Sequence, residues 1–332
     1  MLPLLLACTP AEISTKDTAS PEESDTEESD TEDTDTEDTR AAGDTDDSAA
    51  EDSRDSAEDE HPVVPFVTGM DGVLDATPSP DGTLVYLVGY GEAGPGLYQS
   101  DGVGPPVTLS AAWTIASRLV LSTDGTTAYV LGRMSDDRET RIYAVSLTGD
   151  PTPTPYPELD GYVLYALTLN RIGAGDRLTV AALEPTNHTP GLYTMAASGG
   201  AVALVGDGFG SVLQLGVARL SGETTYATVV DDKKNKKLFV VADGSDVAAV
   251  VAEGLDLNTS GGMAISLDET TLYLGASADL LAVDIATGTV RPFPIALPAG
   301  CHPGGFRRAH EVDRYAIAVS GTESGVYLLD PE

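Results

Sequence analysis

The sequence predicts an all-β fold, a six-bladed β-propeller of four-stranded antiparallel blades, on three observations. A sequence pattern that predicts a strand, a turn and a second strand recurs along the chain. Examples are PSPDGTLVYLVG from Pro78, LSTDGTTAYVLG from Leu121 and ISLDETTLYLGA from Ile265. Two series of aromatic or apolar positions recur with a shared period. The composition changes sharply near residue 60, from acidic and hydroxylated residues to Val, Leu, Ala, Gly and Tyr. Together these features predict a propeller over residues 61–332, preceded by an acidic segment.

The chain begins with MLPLLLACTP, which we interpret as a signal segment over residues 1–8. Leu5-Leu6-Ala7-Cys8 resembles a bacterial lipobox, and this resemblance implies that Cys8 is lipidated and is the only attachment to a membrane. The apolar stretch is short and no Lys or Arg precedes it, which a start codon chosen too far downstream would explain. Thr9 in the next position implies the outer membrane, on its periplasmic or surface face.

Residues 9–60 consist mostly of Thr, Ser, Asp, Glu and Ala. Positions 11–60 hold 22 acidic and three basic residues, a net charge of −19. Such a segment cannot bury enough apolar surface to offset the loss of chain entropy, and its charges repel one another. We therefore predict a disordered acidic linker between the anchor and the folded domain.

The predicted domain is also acidic. The whole chain has a formal net charge of −35, and residues 61–332 account for 31 acidic and 15 basic residues, a net charge of −16. No basic stripe is present that could neutralise phosphates, so we expect no nucleic-acid partner.

Two independent series define the blades. Both recur every 42 to 51 residues, which matches the length of a four-stranded propeller blade. The series predicted for the second strands is Tyr86, Tyr129, Val180, Tyr226, Tyr273 and Tyr315. The series predicted for the third strands is Tyr98, Tyr143, Tyr193, Phe239, Leu281 and Tyr327. Asp81, Asp124 and Asp268 fall between the first and second strands, where Asp suits a hairpin turn.

The two ends of the domain predict how the ring closes. The last repeat supplies only three strands, whereas the first residues of the domain have no hairpin partner. We predict that Val63–Val67 is the fourth strand of the last blade and pairs with Gly325–Leu329. Closure of this kind leaves no open end to the array of sheets.

The phrases SPDGTLVYLVG with GLYQSD, and GGMAISLDETTLYLGASADLLAVDIATG, resemble TolB-like, YVTN and NHL-type propeller repeats. The resemblance covers about residues 61–332. It implies the blade architecture, but such families include periplasmic binding partners, lactonases and cell-surface proteins. A propeller fold by itself therefore does not select a function.

One pattern suggests a ligand site. Trp113 and His302 stand eleven residues before Asp124 and Asp313, and Tyr162 and Phe209 hold the corresponding places in the third and fourth repeats. These residues lead into the inner strands, so we predict that they surround one mouth of the central channel and bind a ligand. The alternative interpretation is packing between adjacent blades.

Two functions follow as hypotheses. The first is a monomeric, non-enzymatic binding module of the cell envelope that uses no cofactor and recognises a protein, a peptide or a glycan. The alternative comes from the lactonase-type propellers, which hold Ca²⁺ with oxygen ligands on the axis. In this sequence Asp71, Asp75 and Asn258 would supply those ligands for a calcium-assisted hydrolase. The adjacent pair Cys301-His302 is a poor metal site, because neighbouring residues of an extended chain point to opposite sides.

Overall fold

Six four-stranded antiparallel sheets follow one another along the chain, which confirms the predicted six-bladed propeller. The structure, a computed structural model, describes residues 60–172, 175–209, 216–219, 224–230, 236–242, 248–257, 262–277 and 279–331. All of these residues belong to one unit, Ser56–Glu332. Cys8, Asn258, the predicted signal segment 1–8 and all but the last residue of the predicted linker 9–60 lie outside the described residues.

The first strand of the domain, β1, belongs to the last blade, and the next twelve strands form blades 1 to 3. Blade 1 contains β2 (Gly72–Pro78), β3 (Val85–Gly91), β4 (Gly94–Ser100) and β5 (Val107–Ser110). Blade 2 contains β6 (Trp113–Leu121), β7 (Thr127–Met134), β8 (Arg141–Ser146) and β9 (Thr154–Pro155). Blade 3 contains β10 (Val163–Ile172), β11 (Gly175–Leu183), β12 (Pro190–Ala196) and β13 (Ala203–Gly206). A 3-10 turn, Pro157–Leu159, connects blades 2 and 3.

The remaining strands complete the ring. Blade 4 contains β14 (Gly216–Arg219), β15 (Thr224–Val230), β16 (Lys236–Ala242) and β17 (Ala249–Glu253). Blade 5 contains β18 (Met263–Ile265), β19 (Thr271–Gly275), β20 (Leu280–Asp284) and β21 (Val290–Phe293). Blade 6 contains β22 (Cys301–Arg308), β23 (Tyr315–Gly321), β24 (Gly325–Leu329) and the N-terminal β1 (Val64–Thr68).

The N-terminal strand closes the ring as predicted, one residue later than the sequence indicated. In this antiparallel pair Val64 lies opposite Leu328, and Thr68 lies opposite Gly325. The backbones approach closely at this seam, since a Cβ atom on Gly325 would lie 2.1 Å from the carbonyl oxygen of Val67. The seam therefore requires glycine at position 325.

Both aromatic series occupy the strands predicted for them, the second and third of each blade. Their side chains meet those of the next blade: Tyr273 of blade 5 contacts Phe306 and Tyr315 of blade 6, with ring centroids 6.1 and 5.4 Å apart. The apolar core thus lies between the faces of neighbouring sheets, where it fixes one blade against the next.

The hairpin aspartates also have the predicted turn role. In blade 2 the hydroxyl of Ser122 donates to Asp124 Oδ1 at 2.6 Å, and that oxygen also accepts from the backbone N–H of Thr126 at 3.0 Å. The same arrangement recurs around Asp81 in blade 1 and Asp268 in blade 5. A short carboxylate that bonds the backbone two residues later stabilises each turn.

Candidate functional site

The first strands of the six blades surround the central axis. Each contacts its two neighbours, in the order β2, β6, β10, β14, β18, β22 and back to β2. Side chains that point inward from these strands therefore come from distant parts of the sequence and meet in one channel. This channel is the candidate site, because ligand sites in closed β-structures are concave and lie at the mouths of such channels.

A buried ion pair crosses the channel. Asp75 of β2 is fully buried, and its Oδ2 accepts from Arg307 Nη2 of β22 at 3.1 Å and from the backbone N–H of Leu119 in β6 at 3.0 Å. Arg307 Nη2 also donates to the carbonyl of Leu167 in β10 at 3.1 Å. Blades 3 and 6 are opposite one another in a ring of six, so the Arg307 side chain spans the axis.

The backbone of β22 packs closely against the Asp75 side chain at Gly305. A Cβ atom on Gly305 would lie 2.2 Å from Asp75 Oδ1, so only glycine fits there. Arg118 occupies the position in blade 2 that Asp75 occupies in blade 1, two residues before the partner of the central tyrosine. Burial lowers the pKa of the Arg118 guanidinium, while the Asp75 carboxylate opposes this effect. One carboxylate thus faces two guanidinium groups.

Above this ion pair lies a cavity of about 220 Å³, which we call the axial cavity. It lies where the first strands end and turn into the first hairpins of the blades. The side chains around it come from blades 1, 2, 3, 5 and 6, and hydroxyl, amide and charged groups are prominent. The polar ones are Thr77, Thr123, Thr168, Asn170, Ser266, Glu269, Arg307, Arg308 and His310.

Arg308 is held in place by backbone carbonyls. Its Nε donates to Ile265 of the neighbouring blade at 2.8 Å, and its Nη1 donates to Ala309 at 2.7 Å and to His310 at 3.4 Å. Burial lowers the pKa of this guanidinium, an effect that Tyr315, Asp313 and Glu269 oppose. The result is a fixed cation whose hydrogen bonds go to neutral acceptors.

His310 connects blade 6 to blade 2 at the same level. Its Nε2 donates to the carbonyl of Leu121, 3.3 Å away. Burial is the main reason that the pKa of this imidazole is lowered, and Arg308 lowers it further, whereas Leu121, Asp176 and Glu311 act in the opposite direction. The axial cavity therefore contains a neutral imidazole beside a guanidinium at neutral pH.

The structure places the four predicted ligand residues at or before the beginnings of the first strands, the opposite end from the axial cavity. Trp113 and Phe209 are only 4% and 3% exposed, so little of either side chain is open to a ligand in this structure. Trp113 packs edge-on against Tyr143, with centroids 5.2 Å apart, and its indole N–H donates to Ser110 Oγ at 3.1 Å. Phe209 packs in the same manner on Phe239.

Tyr162 and His302 are more accessible. Tyr162 is half-buried and packs edge-on against Tyr193, at a centroid distance of 5.1 Å. His302 is exposed and its Nδ1 lies 3.0 Å from the carbonyl oxygen of Ser277. In each of blades 2, 3 and 4, an aromatic residue that comes before the first strand or begins it thus packs on the aromatic residue of the third strand. The three pairs are Trp113 with Tyr143, Tyr162 with Tyr193, and Phe209 with Phe239. Trp113 and Phe209 also belong to apolar clusters that include residues of the preceding blade, which supports the alternative of packing between adjacent blades. Ligand binding by the four residues stays a prediction.

The alternative calcium set does not converge in the described part of the chain. The Oδ2 of Asp75 is occupied by Arg307 and by a backbone N–H, which is the surrounding of an ion-paired carboxylate. Asp71 is exposed, and Asn258 lies outside the described residues. Among the residues described, no three His, Cys, Asp or Glu side chains come together as metal ligands would. Cys301 is buried and His302 exposed, as their adjacency in a strand predicts.

Sequence reasoning overlooked the arginines. Arg118, Arg307 and Arg308 lie in the segments ASRLV and GFRRAH, in the first strands of blades 2 and 6. Charged residues on a strand that faces a narrow channel must be paired or held by hydrogen bonds, so these segments carried a usable signal. None of the helices in the described part of the chain is long and apolar enough to cross a membrane.

Comparison with solved structures supports the fold. TolB from Acinetobacter baumannii matches with a TM-score of 0.52 and 14% identity, over 71% of this chain and 56% of that chain. A GH74 enzyme from Niastella koreensis matches with a TM-score of 0.52 and 16% identity, over 77% of this chain and 42% of that one. A chain of a nidogen/laminin complex matches with a TM-score of 0.50 and 11% identity, over 78% and 93%.

At these identities the similarity shows a shared propeller fold, in agreement with the resemblance to TolB-like repeats. No protein-family model matches the chain, and no curated protein matches it significantly.

Proposed function

We propose that this protein is a binding module of the bacterial cell envelope. In this proposal Cys8 carries a lipid anchor in the outer membrane, residues 9–60 form an acidic tether, and the propeller over residues 61–332 recognises its partner without catalysis. The partner is a protein, a peptide or a glycan on the periplasmic or surface face. The propeller fold is compatible with such a role, since its loops and channel present a concave surface on a rigid scaffold.

The axial cavity is the observation that carries the proposal. Five blades contribute polar side chains to it, and Arg308 and His310 are fixed there by backbone carbonyls. Arg307 spans the channel at its base, so a group that enters at the hairpin end stops at the ion pair. Polar side chains that are already held in place lose little conformational entropy when a ligand binds, which favours binding.

The envelope location rests on the sequence alone. Leu5-Leu6-Ala7-Cys8 resembles a lipobox, and a long acidic segment follows it before the propeller begins. An anchor, a tether and a folded domain in this order would display the propeller away from the membrane. The net charge of −16 on residues 61–332 also keeps the domain away from anionic lipid surfaces.

We further propose that the protein is monomeric, needs no cofactor and binds no nucleic acid. Within the described ranges, the large exposed apolar residues on the outer strands are spread over four blades, whereas an interface between subunits needs a continuous apolar patch. They are Val64, Val107, Leu204 and Val250. The calcium-assisted hydrolase has no comparable support, because Asp75 is engaged by Arg307.

Capture from an envelope extract with the full chain tests the proposal. We expect an envelope component to be retained by the unaltered protein and lost with Arg308→Gln, which removes a charge from the axial cavity. Arg314→Gln is the matched control, because Arg314 lies outside the cavity and binds Asp330 at 2.8 Å. Equal retention by both variants would place the binding surface elsewhere, and no specific retention by the unaltered protein would contradict the proposal.

The anchor requires a separate test in cells that express the gene from its natural start. Mass spectrometry of the mature protein is expected to find a lipidated Cys8 at the N-terminus, with processing that globomycin blocks. Cys8→Ala should release the protein from the membrane fraction. A mature protein that still carries Met1 would refute the anchor and leave the binding proposal intact.

A further inference from the structure

We propose that the axial cavity binds a zwitterionic group of the amino-acid type, with its carboxylate on Arg308 and its ammonium group towards the acidic hairpins. This inference rests on the proposed function, because it names the class of ligand for the same cavity. Three observations lead to it: the arrangement of Arg308, the size of the cavity and the charges around its mouth.

Arg308 is a cation with one free terminal nitrogen. Its Nε and Nη1 donate to the carbonyls of Ile265, Ala309 and His310, whereas its Nη2 has no hydrogen-bond partner among the described residues. It also forms no salt bridge in that part of the chain, unlike Arg307, which binds Asp75. A guanidinium that is held at two nitrogens can still donate to a carboxylate from the third, and such a hydrogen bond is charge-assisted.

The cavity is small and polar. Its volume of about 220 Å³ lies below the range of about 300–1,000 Å³ that is typical of pockets for drug-sized ligands. Thr77 and Thr168 add hydroxyl groups from two different blades, whereas the Ser266 hydroxyl is engaged by Asp268 in its own turn. These features fit a single amino acid, or the last residue of a chain, better than an extended ligand.

The first hairpins of three blades, at the end of the propeller where the cavity lies, are acidic. Asp81, Asp124 and Asp268 are exposed in the first hairpins of blades 1, 2 and 5, and hydrogen bonds from Ser and Thr lower the pKa of each. They are therefore ionised at neutral pH, and Glu269 lines the cavity itself. A ligand that is purely anionic is repelled by this rim, whereas a ligand with an additional ammonium group is attracted. L-Lysine, with a carboxylate and two ammonium groups, is accordingly a good probe.

Isothermal titration of the full chain with three matched compounds tests this inference. We expect L-lysine to bind at least about tenfold more tightly than cadaverine, which lacks the carboxylate, and than hexanoate, which lacks both ammonium groups. A charge-assisted hydrogen bond accounts for about this factor. No binding of L-lysine, or equal binding of L-lysine and cadaverine, would overturn the inference.

Variants locate the carboxylate. Arg308→Gln should weaken L-lysine binding at least about tenfold and leave cadaverine binding no weaker, whereas Arg314→Gln should change neither. Unchanged L-lysine binding in a folded Arg308→Gln protein would exclude the cavity as the site. If this variant does not fold, the comparison of the three compounds on the unaltered chain still decides the ligand class.

The source of the zwitterion is distinguished with peptides. Tight binding of Ala-Ala-Lys, lost when its C-terminus is amidated, would indicate the end of a peptide chain, and binding of free L-lysine alone would indicate a free amino acid.

Failure of the inference is also separable from failure of the proposed function. Specific capture of an envelope component without L-lysine binding leaves the binding module standing, while L-lysine binding without any capture supports the ligand class and refutes a macromolecular partner.

Discussion

Asp75 Oδ2 and Arg307 Nη2 lie 3.1 Å apart in the centre of the propeller, although 232 residues separate them in the sequence. The same guanidinium nitrogen reaches Leu167 on the opposite blade, and the same carboxylate oxygen reaches Leu119 on the next blade. Four blades therefore meet in one group of charge-assisted hydrogen bonds. Such a group cannot be satisfied unless the ring has closed in the correct order, so it selects the native arrangement.

Removal of one partner of this pair should be costly. Arg307→Met removes the hydrogen-bonded ion-pair partner of the fully buried Asp75 carboxylate, and we expect a loss of about 3–5 kcal/mol in the free energy of unfolding. The double variant Asp75→Leu with Arg307→Met should lose less than the sum of the single variants, since the two side chains interact directly with each other. Urea unfolding of the full chain measures these differences.

The matched control for this pair is Arg314→Met. Arg314 Nε binds Asp330 Oδ1 at 2.7 Å, but both side chains are more than a third exposed. Solvent screens such a pair, so the expected loss is within about 1 kcal/mol. Equal losses for Arg307→Met and Arg314→Met would contradict a special role for the central ion pair.

The closing seam depends on a glycine. Gly325→Ala would place a Cβ atom 2.1 Å from the carbonyl oxygen of Val67, so β1 must move away from β24. We expect a destabilisation of about 1–3 kcal/mol, as for other overpacked sites, measured as a lower midpoint in thermal unfolding. Gly104→Ala is the control, because a Cβ atom on Gly104 would have no other atom within 4 Å, and the change should stay within about 0.5 kcal/mol.

Shortened chains test closure as a whole. A protein that begins at Asp59 retains β1 and should unfold in one cooperative transition like the full chain. A protein that begins at Asp71 lacks β1 and exposes the edge of β24, so we expect aggregation or a broad transition. If both unfold alike, as judged by calorimetry and light scattering, β1 does not hold the ring together.

Trp113 reports on the packing within blade 2. Its burial and its contact with Tyr143 predict a blue-shifted emission that acrylamide quenches poorly. Trp113→Ala should cost about 3–5 kcal/mol, as expected for a truncated buried aromatic residue. A red-shifted, readily quenched emission together with a stable Trp113→Ala protein would instead indicate that this residue is open to a ligand.

His310 makes stability depend on pH. Burial lowers the pKa of its imidazole below the ordinary value of 6.5, so the unfolded chain binds a proton that the folded chain does not. Its contribution to stability is therefore present at neutral pH and lost as the pH falls through about 6.5 and below. We expect the stability advantage of the unaltered protein over His310→Gln to shrink on acidification, by at most about 1.4 kcal/mol per pH unit.

Denaturant unfolding of both proteins at several pH values measures this difference. An advantage that is constant with pH, or that grows as the pH falls, would show that the folded state does not disfavour the protonated imidazole.

The fold could be predicted because each blade repeats the same local requirements. Asp124 fits its turn by bonding a backbone N–H two residues away, and Tyr129 fits its strand by filling the space against the next sheet. Such requirements act within one hairpin or between adjacent blades, so they leave a period in the sequence. The closing strand was predictable for a related reason, since the last repeat lacked one strand.

The candidate site was predicted less well. Trp113 and Phe209 were selected because large residues recur before the inner strands, but the same recurrence arises when such residues cover an aromatic residue of the third strand. That partner follows about 30 residues later in the sequence, so the two aromatic series could have been read as one packing pattern. A recurring residue serves every blade equally, whereas a ligand site on the axis needs residues that differ between blades.

The number of blades, the strand order within each blade and the closure by β1 were predictable from the sequence, because they depend on short-range pairing and on burial of apolar faces. The side chains that meet on the axis could be identified only in the closed ring. Three blades supply the charged residues near the axis, which are Asp75, Arg118, Arg307 and Arg308. The local sequence around each of them does not indicate which of the others it will meet. The pairing of Asp75 with Arg307 follows from ring closure, which brings distant first strands together, and a buried charge there must be ion-paired or held by hydrogen bonds.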